Sequence, residues 1–387
     1  MGIFVENTNT SLRICLSVLK FVGFLKKEEP ETYFLRCLSN IYWFSWFMFI
    51  AGAVIIAQTG ALIQIWGDIT LMTSASFLLF TDLAQITKII NVVMRRQQIQ
   101  AIIQESDDEL AAEDRDEGIE IVKSSNRETS RSLFVFAALS AVTVIGWAVS
   151  AEKNQLPLRA WYPYNTSKSP AYELTYANQC GTLIMSALVN VCLDTLVTSL
   201  IAVCRCRLRL VGLSLRTLCP TMKQMFSLED EKMIQSRLAQ TVVKHEAALK
   251  TAAQIQTCFS EPILAQFSVS TVITCVTAYQ LALELSNKNG LRIISMMAYL
   301  FCVMLEIFLY CYQGNKLMEE SIEIAGSAYS CPWYMCSVRT RRSLLIVMVR
   351  TRRVAKLTAA GFTTLSLSCF TSVSFGKLNA ITPHKYY

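Results

Sequence analysis

SAYSCPWYMCSVRTRRSLLIVMVRTRR, residues 327–353, is the stretch on which the fold turns. It sets Pro332, Trp333 and Tyr334 beside two arginine clusters, with the apolar run SLLIVMV, residues 343–349, between them. A transmembrane helix needs roughly 20 consecutive apolar residues, so this run cannot cross a bilayer. It is long enough for a short buried helix on one side of a membrane. Tyr329, Trp333 and Tyr334 supply large apolar bodies with polar tips, suited to such a packing unit. Arg350, Arg352, Arg353 and Lys356 then mark a membrane boundary just before the last apolar segment.

The rest of the chain supports a membrane setting. Its 387 residues are 53% hydrophobic with a mean hydropathy of +0.37, above the range of ordinary soluble domains. Seven segments are candidate spans: 37–57, 69–93, 132–150, 180–203, 263–285, 291–312 and 357–375. The second carries Asp82 and Lys88, and the last is rich in Ser and Thr. The N-terminal stretch SLRICLSVLKFVGFL is interrupted by Arg13 and Lys20 and leads into KKEEPE, so it reads as an amphipathic helix on the inner membrane surface rather than a cleaved signal.

Lys and Arg concentrate in the N-terminal tail and in loops 94–131, 205–257 and 315–356. The intervening loops and the tail after Gly376 hold few or none. By the positive-inside rule the N-terminus is cytoplasmic and the C-terminus extracellular. The net charge of +7 is then an inner-face charge, not a nucleic-acid footprint. The charged loops read as solvated. The sequon at Asn165 falls outside, where it can be glycosylated, and the one at Asn9 falls inside. The cysteines form no CxxC pair, so no metal site or disulfide framework is expected. No cofactor motif, HExxH or GxSxG is present, and an enzyme is not expected.

Loop 205–257 contains a helix of its own. Ser227 and Asp230 resemble a capping box, and Ile234, Leu238, Val242, Leu249, Ala252 and Ile255 recur at helical spacing. This apolar stripe packs either within one subunit or against another.

Several separated motifs together resemble the insect odorant receptors: LTYANQ (174–179), LDTL (193–196), VVKHEAAL (242–249), SEPILAQF (260–267), YQGNKLMEES (312–321), SAYSCPWY (327–334) and LTAAGFTTLSLSCFTSV (357–373). The resemblance covers nearly the whole chain, and the order and spacing of the motifs make it specific. It implies an all-α membrane protein of seven transmembrane helices, a single domain over 1–387. A cytoplasmic helical anchor would occupy about 205–257 and 315–356, and a pore helix about 357–380. It implies a subunit that assembles with a shared co-receptor into a heterotetrameric, non-selective cation channel, multi-pass in the plasma membrane of an olfactory neuron dendrite. The co-receptor of the family carries a longer cytoplasmic insertion between helices four and five than this chain does.

The resemblance also places sites. The family's pore is lined by the last helix, where Thr364, Ser368 and Thr371 fall on one helical face, with Phe375 beyond. Hydroxyls there would replace part of an ion's hydration shell, or serve close helix packing. The ending GKLNAITPHKYY departs from the family's apolar outer end and puts Pro383 and Tyr387 where gate residues are expected. The ligand pocket is expected in the outer half. Ser74, Phe77 and Leu78 come from the second span, Thr143, Gly146, Trp147 and Ser150 from the third, Tyr176, Cys180 and Ile184 from the fourth, and Met296 and Tyr299 from the sixth. Gly146 would leave room, and the absence of charge from this set predicts a neutral volatile ligand. His245 reads as an anchor hydrogen-bonder, and Tyr329, Trp333 and Tyr334 as anchor contacts. Asp194, in LDTL, is either functional or a structural ion-pair partner, and Asp82 and Glu306 raise the same question. Rival readings are a gustatory receptor of the same superfamily, a G-protein-coupled receptor, against which the orientation argues, and a secondary transporter, against which the lack of repeats argues.

Overall fold

A computed structural model describes residues 9–25, 33–149, 156, 158, 160–166, 168–219, 228–287 and 290–372. Ser150, Ser167, Ser227, Phe375, Pro383 and Tyr387 lie outside the described residues. So do the side chains of Ser74 and Phe77, whose backbone sits on a helix. The elements are α1 (Thr10–Phe21), α2 (Tyr33–Phe47), a π-helical turn (Met48–Gly52), α3 (Ala53–Gln64), α4 (Ile69–Met94), α5 (Arg96–Ala111), α6 (Asp116–Val149), α7 (Ala171–Arg216), α8 (Leu228–Asn287), α9 (Gly290–Ser330) and α10 (Val338–Arg350). A two-stranded hairpin, β1 (Thr358–Ala359) and β2 (Thr363–Thr364), follows.

Six helical stretches among the described residues are long and apolar enough to cross a membrane: Tyr33–Gln64, Leu71–Met94, Asp116–Val149, Ala171–Arg216, Leu228–Leu285 and Gly290–Ser330. They correspond to the first six expected spans, so the chain is an all-α, multi-pass membrane protein. At about 1.5 Å per residue, α7, α8 and α9 run for roughly 70, 90 and 60 Å, against about 30 Å of bilayer hydrocarbon. Each therefore projects well beyond the membrane. The projecting parts meet at one end, because α7 leaves the bundle where α8 enters it.

That end is knitted by charge rather than left to solvent, contrary to the expectation of solvated loops. The α7 run RCRLRL places Arg205 against Glu128 at 2.5 Å, Arg207 against Glu109 and Thr251, and Arg209 against Glu320 at 3.5 Å. Arg207 is fully buried, and an arginine out of water must have such partners. α7 is the central post, with residues 189–208 almost all buried. It is buried on every side, as a helix surrounded by helices is, and its polar residues Asp194, Arg205 and Arg207 are paired there. The stripe of α8 (Ile234, Leu238, Ala252, Ile255) joins the same core, so it packs within the subunit. α1 spends its apolar face, Leu12, Cys15, Leu16 and Leu19, on that core too, rather than on the membrane surface. Asn9 is buried there and accepts hydrogen bonds from Ser11 Oγ (2.6 Å) and Thr129 Oγ1 (2.8 Å).

The run SLLIVMV lies within α10. Its N-cap Ser337 accepts from the Thr340 amide at 3.3 Å, and Glu231 of α8 receives bonds from Ser337 and Thr340. Arg341 donates to the carbonyls of Cys336 and Tyr334 at 2.8 and 2.7 Å, closing the Pro-Trp-Tyr turn onto the helix start.

The expected seventh helix does not begin at Leu357. Thr358–Ala359 pairs antiparallel with Thr363–Thr364, turning through Ala360 (φ +46°) and Gly361 (φ +79°), the left-handed pair that tight hairpins need. Helix resumes over 367–372, at the edge of the described residues. Two family-like motifs hold this hairpin. Gln256 donates to the Thr358 carbonyl (3.0 Å) and accepts from its amide (2.7 Å), acting as a third strand, and Ser260 Oγ accepts from the Ala360 amide at 2.9 Å. At Gly314, in YQGNK, an added Cβ would stand 2.5 Å from Leu365 Cβ and 2.7 Å from its carbonyl oxygen. Glycine there lets Leu365 seat on α9. Thr364 is thus a strand residue, and it does not share a helical face with Ser368 and Thr371.

Candidate functional site

A cavity of about 210 Å³ lies among α4, α6, α7 and α9, bordered by the π-helical turn, α3 and the loop residues Leu158, Ala160 and Tyr162. That volume suits a small ligand. The walls are aromatic and aliphatic: Phe49, Phe136, Trp147, Tyr162, Tyr299 and Leu183 among others. The π turn turns Phe49 and Ile50 toward the cavity, a use typical of such bulges.

The loop is pinned as a cap. Gln179 accepts from the Leu158 amide at 3.1 Å and donates to the Leu158 carbonyl and Tyr162 Oη at 3.2 and 3.1 Å. The Trp161 amide donates to the Ala57 carbonyl at 2.8 Å. Asn165, on the same loop, is exposed.

Of the expected pocket residues, Leu78, Thr143, Trp147 and Tyr299 line this cavity. The others differ for geometric reasons. Tyr176, Cys180 and Ile184 form an i, i+4 row, but the cavity row on α7 is Asn178, Thr182, Ser186 and Asn190. Two residues at about 100° each turn the expected row to the far side, where Ile184 is 55% exposed. Tyr176 Oη instead donates to the Ala148 carbonyl at 2.8 Å. Gly146 leaves no room for a ligand, since a Cβ there would lie 2.0 Å from Ser295 Oγ. It brings α6 and α9 into contact. Met296 is buried but not in the wall. On α4 and α9 the cavity reaches one turn deeper than expected, to Thr81, Asp82 and Gln85 and to Cys302, Val303 and Glu306.

The deeper position changes the chemistry. Asp82 and Glu306 are in the wall, and no Lys, Arg or His is, among the described residues. The uncharged lining on which a neutral ligand was predicted does not hold. Below Glu306 the three flagged spans converge on Lys88. Its ammonium donates to Asp194 Oδ1 and Glu306 Oε1, both at 2.6 Å, and to Asn190 Oδ1 at 3.2 Å. Tyr310 Oη donates to Asp194 Oδ1 at 2.8 Å. Asp194 is therefore a structural ion-pair partner linking α4 and α7. Because Glu306 belongs to both cluster and wall, the cavity floor is tied to the centre of the bundle. The row Asn178–Gln179 was visible in LTYANQ, and the lone charges at 82, 88, 194 and 306 were visible as exceptions in apolar segments.

Of the residues expected in an anchor, His245 is buried, Tyr329 and Tyr334 are more than half exposed, and Trp333 lies tilted against Tyr329 and edge-on to Tyr334 with centroids at 6.0 and 6.1 Å.

A family model described as 7tm odorant receptor matches residues 68–374. The chain belongs to the insect odorant receptor family. Odorant receptor 46a, isoform A, of Drosophila melanogaster is 25% identical over 317 residues, 79% of this chain and 80% of that protein. The odorant receptor coreceptor of Aedes aegypti is 30% identical over 146 residues, 38% of this chain and 30% of that one. The solved olfactory receptor OR5 of Machilis hrabei superposes with a TM-score of 0.81 at 18% identity, over 96% of both chains. It has also been solved in complex with eugenol, and that structure superposes at 0.79. At such identity the likeness carries the fold. The odorant receptor family is one of receptors, not enzymes.

Proposed function

We propose that this odorant receptor is the ligand-binding subunit of an odorant-gated, non-selective cation channel in the plasma membrane of olfactory neurons. The observation that carries the reading is the aromatic-walled cavity among the long apolar helices, the kind of concave site that small ligands use. A volatile bound there would prefer the open arrangement of the bundle to the closed one, and would shift the population accordingly. The clamped hairpin, held by Gln256, Ser260 and Gly314, supports a fixed base for the segment that follows. Ser368 and Thr371 on that segment, with Phe375 beyond, are the proposed pore wall. The N-terminus and the anchor face the cytoplasm in this reading, and Asn165 faces outward.

The partner is the co-receptor subunit, in a heterotetramer. The exposed Tyr329 and Tyr334, with Leu345, Ile346 and Val349 on the open side of α10, supply an apolar surface for neighbouring subunits. The test is expression with and without the co-receptor while recording currents under a panel of volatiles. A fast cation current that needs both chains is the expected result. A current from a G-protein cascade, abolished by blocking that cascade, would sink the proposal. Loss of a glycosidase-sensitive mobility shift in Asn165→Gln checks the orientation.

A further inference from the structure

The polar pole of the cavity centres on a buried carboxyl group and an unpaired amide oxygen. Asp82 is 8% exposed and lines the wall. Its partner is the side chain of Gln58, on α3. Gln58 is 2% exposed and also lines the cavity, and its Oε1 has no hydrogen-bond partner. Glu306 stands in the same wall. Lys88, below the wall, is committed to Asp194 and Glu306 at 2.6 Å each, so Asp82 stands outside that pairing. The pole therefore offers oxygen atoms to a donor, and nothing cationic lines the cavity among the described residues.

A buried carboxyl group beside an orphaned amide oxygen is costly unless a donor reaches them. A ligand that brings donors and positive charge would relieve that cost, whereas one that brings only acceptors would add to it. An ammonium has three donors and no acceptor. It would meet the carboxylate of Asp82 and the orphaned Gln58 oxygen together. Trp147, Tyr162 and Tyr299, in the surrounding wall, present ring faces that attract a cation as well as an apolar skeleton.

We infer that the cavity takes a small organic amine in its protonated form, with the ammonium on Asp82 and Gln58 and the hydrocarbon part against the aromatic wall. Glu306 adds long-range attraction while remaining paired to Lys88. This inference rests on the cavity being the ligand site of the receptor.

The experiment uses three compounds on one skeleton, 2-phenylethylamine, 2-phenylethanol and phenylacetic acid, applied to the full chain co-expressed with the co-receptor. The amine should act at a concentration at least tenfold lower than the alcohol, and the acid should be inert. Asp82→Asn should bring the amine and the alcohol to within about threefold of each other. Asp82→Glu should keep the preference. Should Asp82→Asn fail to reach the cell surface, thermal protection of the purified wild-type chain by each compound takes its place, and the amine must protect at the lowest concentration. An alcohol as potent as the amine overturns the inference, as does a preference that survives Asp82→Asn. Responses to uncharged volatiles with none to the amine overturn it too, and leave the odorant-gated reading standing. Silence toward every compound, with both chains at the surface, overturns both.

Discussion

Replacing Lys88 with methionine removes the one cation that holds Asp194 and Glu306. The two carboxylates are 2% and 5% exposed, and each receives a 2.6 Å bond from Lys88. Methionine fills the same volume, so packing is retained and the change isolates charge. Stripping one partner from a buried ionic group costs about 3–5 kcal/mol. At about 1.4 kcal/mol per decade, the folded population should fall on the order of a hundred- to a thousandfold relative to the unfolded one. With about 2 °C per kcal/mol for a large chain, the thermal midpoint of the detergent-solubilised protein should drop by roughly 5–10 °C. The assay is a melt followed by loss of monodisperse protein, together with surface expression. A second variant makes the reasoning testable against a generic mutational loss. Lys88→Met combined with Asp194→Asn and Glu306→Gln leaves no charge in the cluster. Burying a neutral set in place of a charged one is often close to neutral, so the triple variant should recover most of the lost midpoint. A Lys88→Met chain that melts like wild type would refute the account, and so would a triple variant that melts lower than the single one.

Gln256→Ala removes the side chain that acts as a third strand for the hairpin. Three bonds to Thr358 are lost, about 1 kcal/mol each, so amides over 358–364 should exchange roughly a hundredfold faster while those of α7 are unchanged. Gly314→Ala sets a methyl against the Leu365 backbone, which cannot yield as a side-chain tip would. Overpacking of about 1–3 kcal/mol should lower surface expression, and Leu365→Ala should not restore it, because the carbonyl contact remains. Gln179→Leu unpins Leu158 and Tyr162 from α7, so exchange at Leu158 should rise and ligand potency should fall about tenfold, with surface expression kept.

Much of the architecture was legible in one dimension. Long apolar runs without charge must be helices in a membrane, since each backbone group has to be satisfied internally. The first six spans therefore followed from composition. The motif order was specific enough to point to the family. The arginines of 339–353 and the length of SLLIVMV were enough to make α10 a short helix outside the bilayer. The hairpin is not legible in TAAGFTT, which carries no charge and runs straight into the apolar residues after it. Its strands are two residues each, and their third partner is a glutamine about a hundred residues away.

The sequence by itself determined the first six spans, because periodicity and hydropathy are local properties of the chain. It also flagged Asp82, Lys88, Asp194 and Glu306 as exceptions whose burial needs a reason. Only the tertiary structure decided what those exceptions do. The rotation of α7 about its axis selects Asn178, Thr182 and Ser186 for the cavity in place of Tyr176, Cys180 and Ile184. The relative depth of α4 and α9 pairs Lys88 with Asp194 and Glu306, yet leaves Asp82 facing the cavity. Rotation and depth are set by close packing between helices, such as Gly146 against Ser295, and no single segment carries that information.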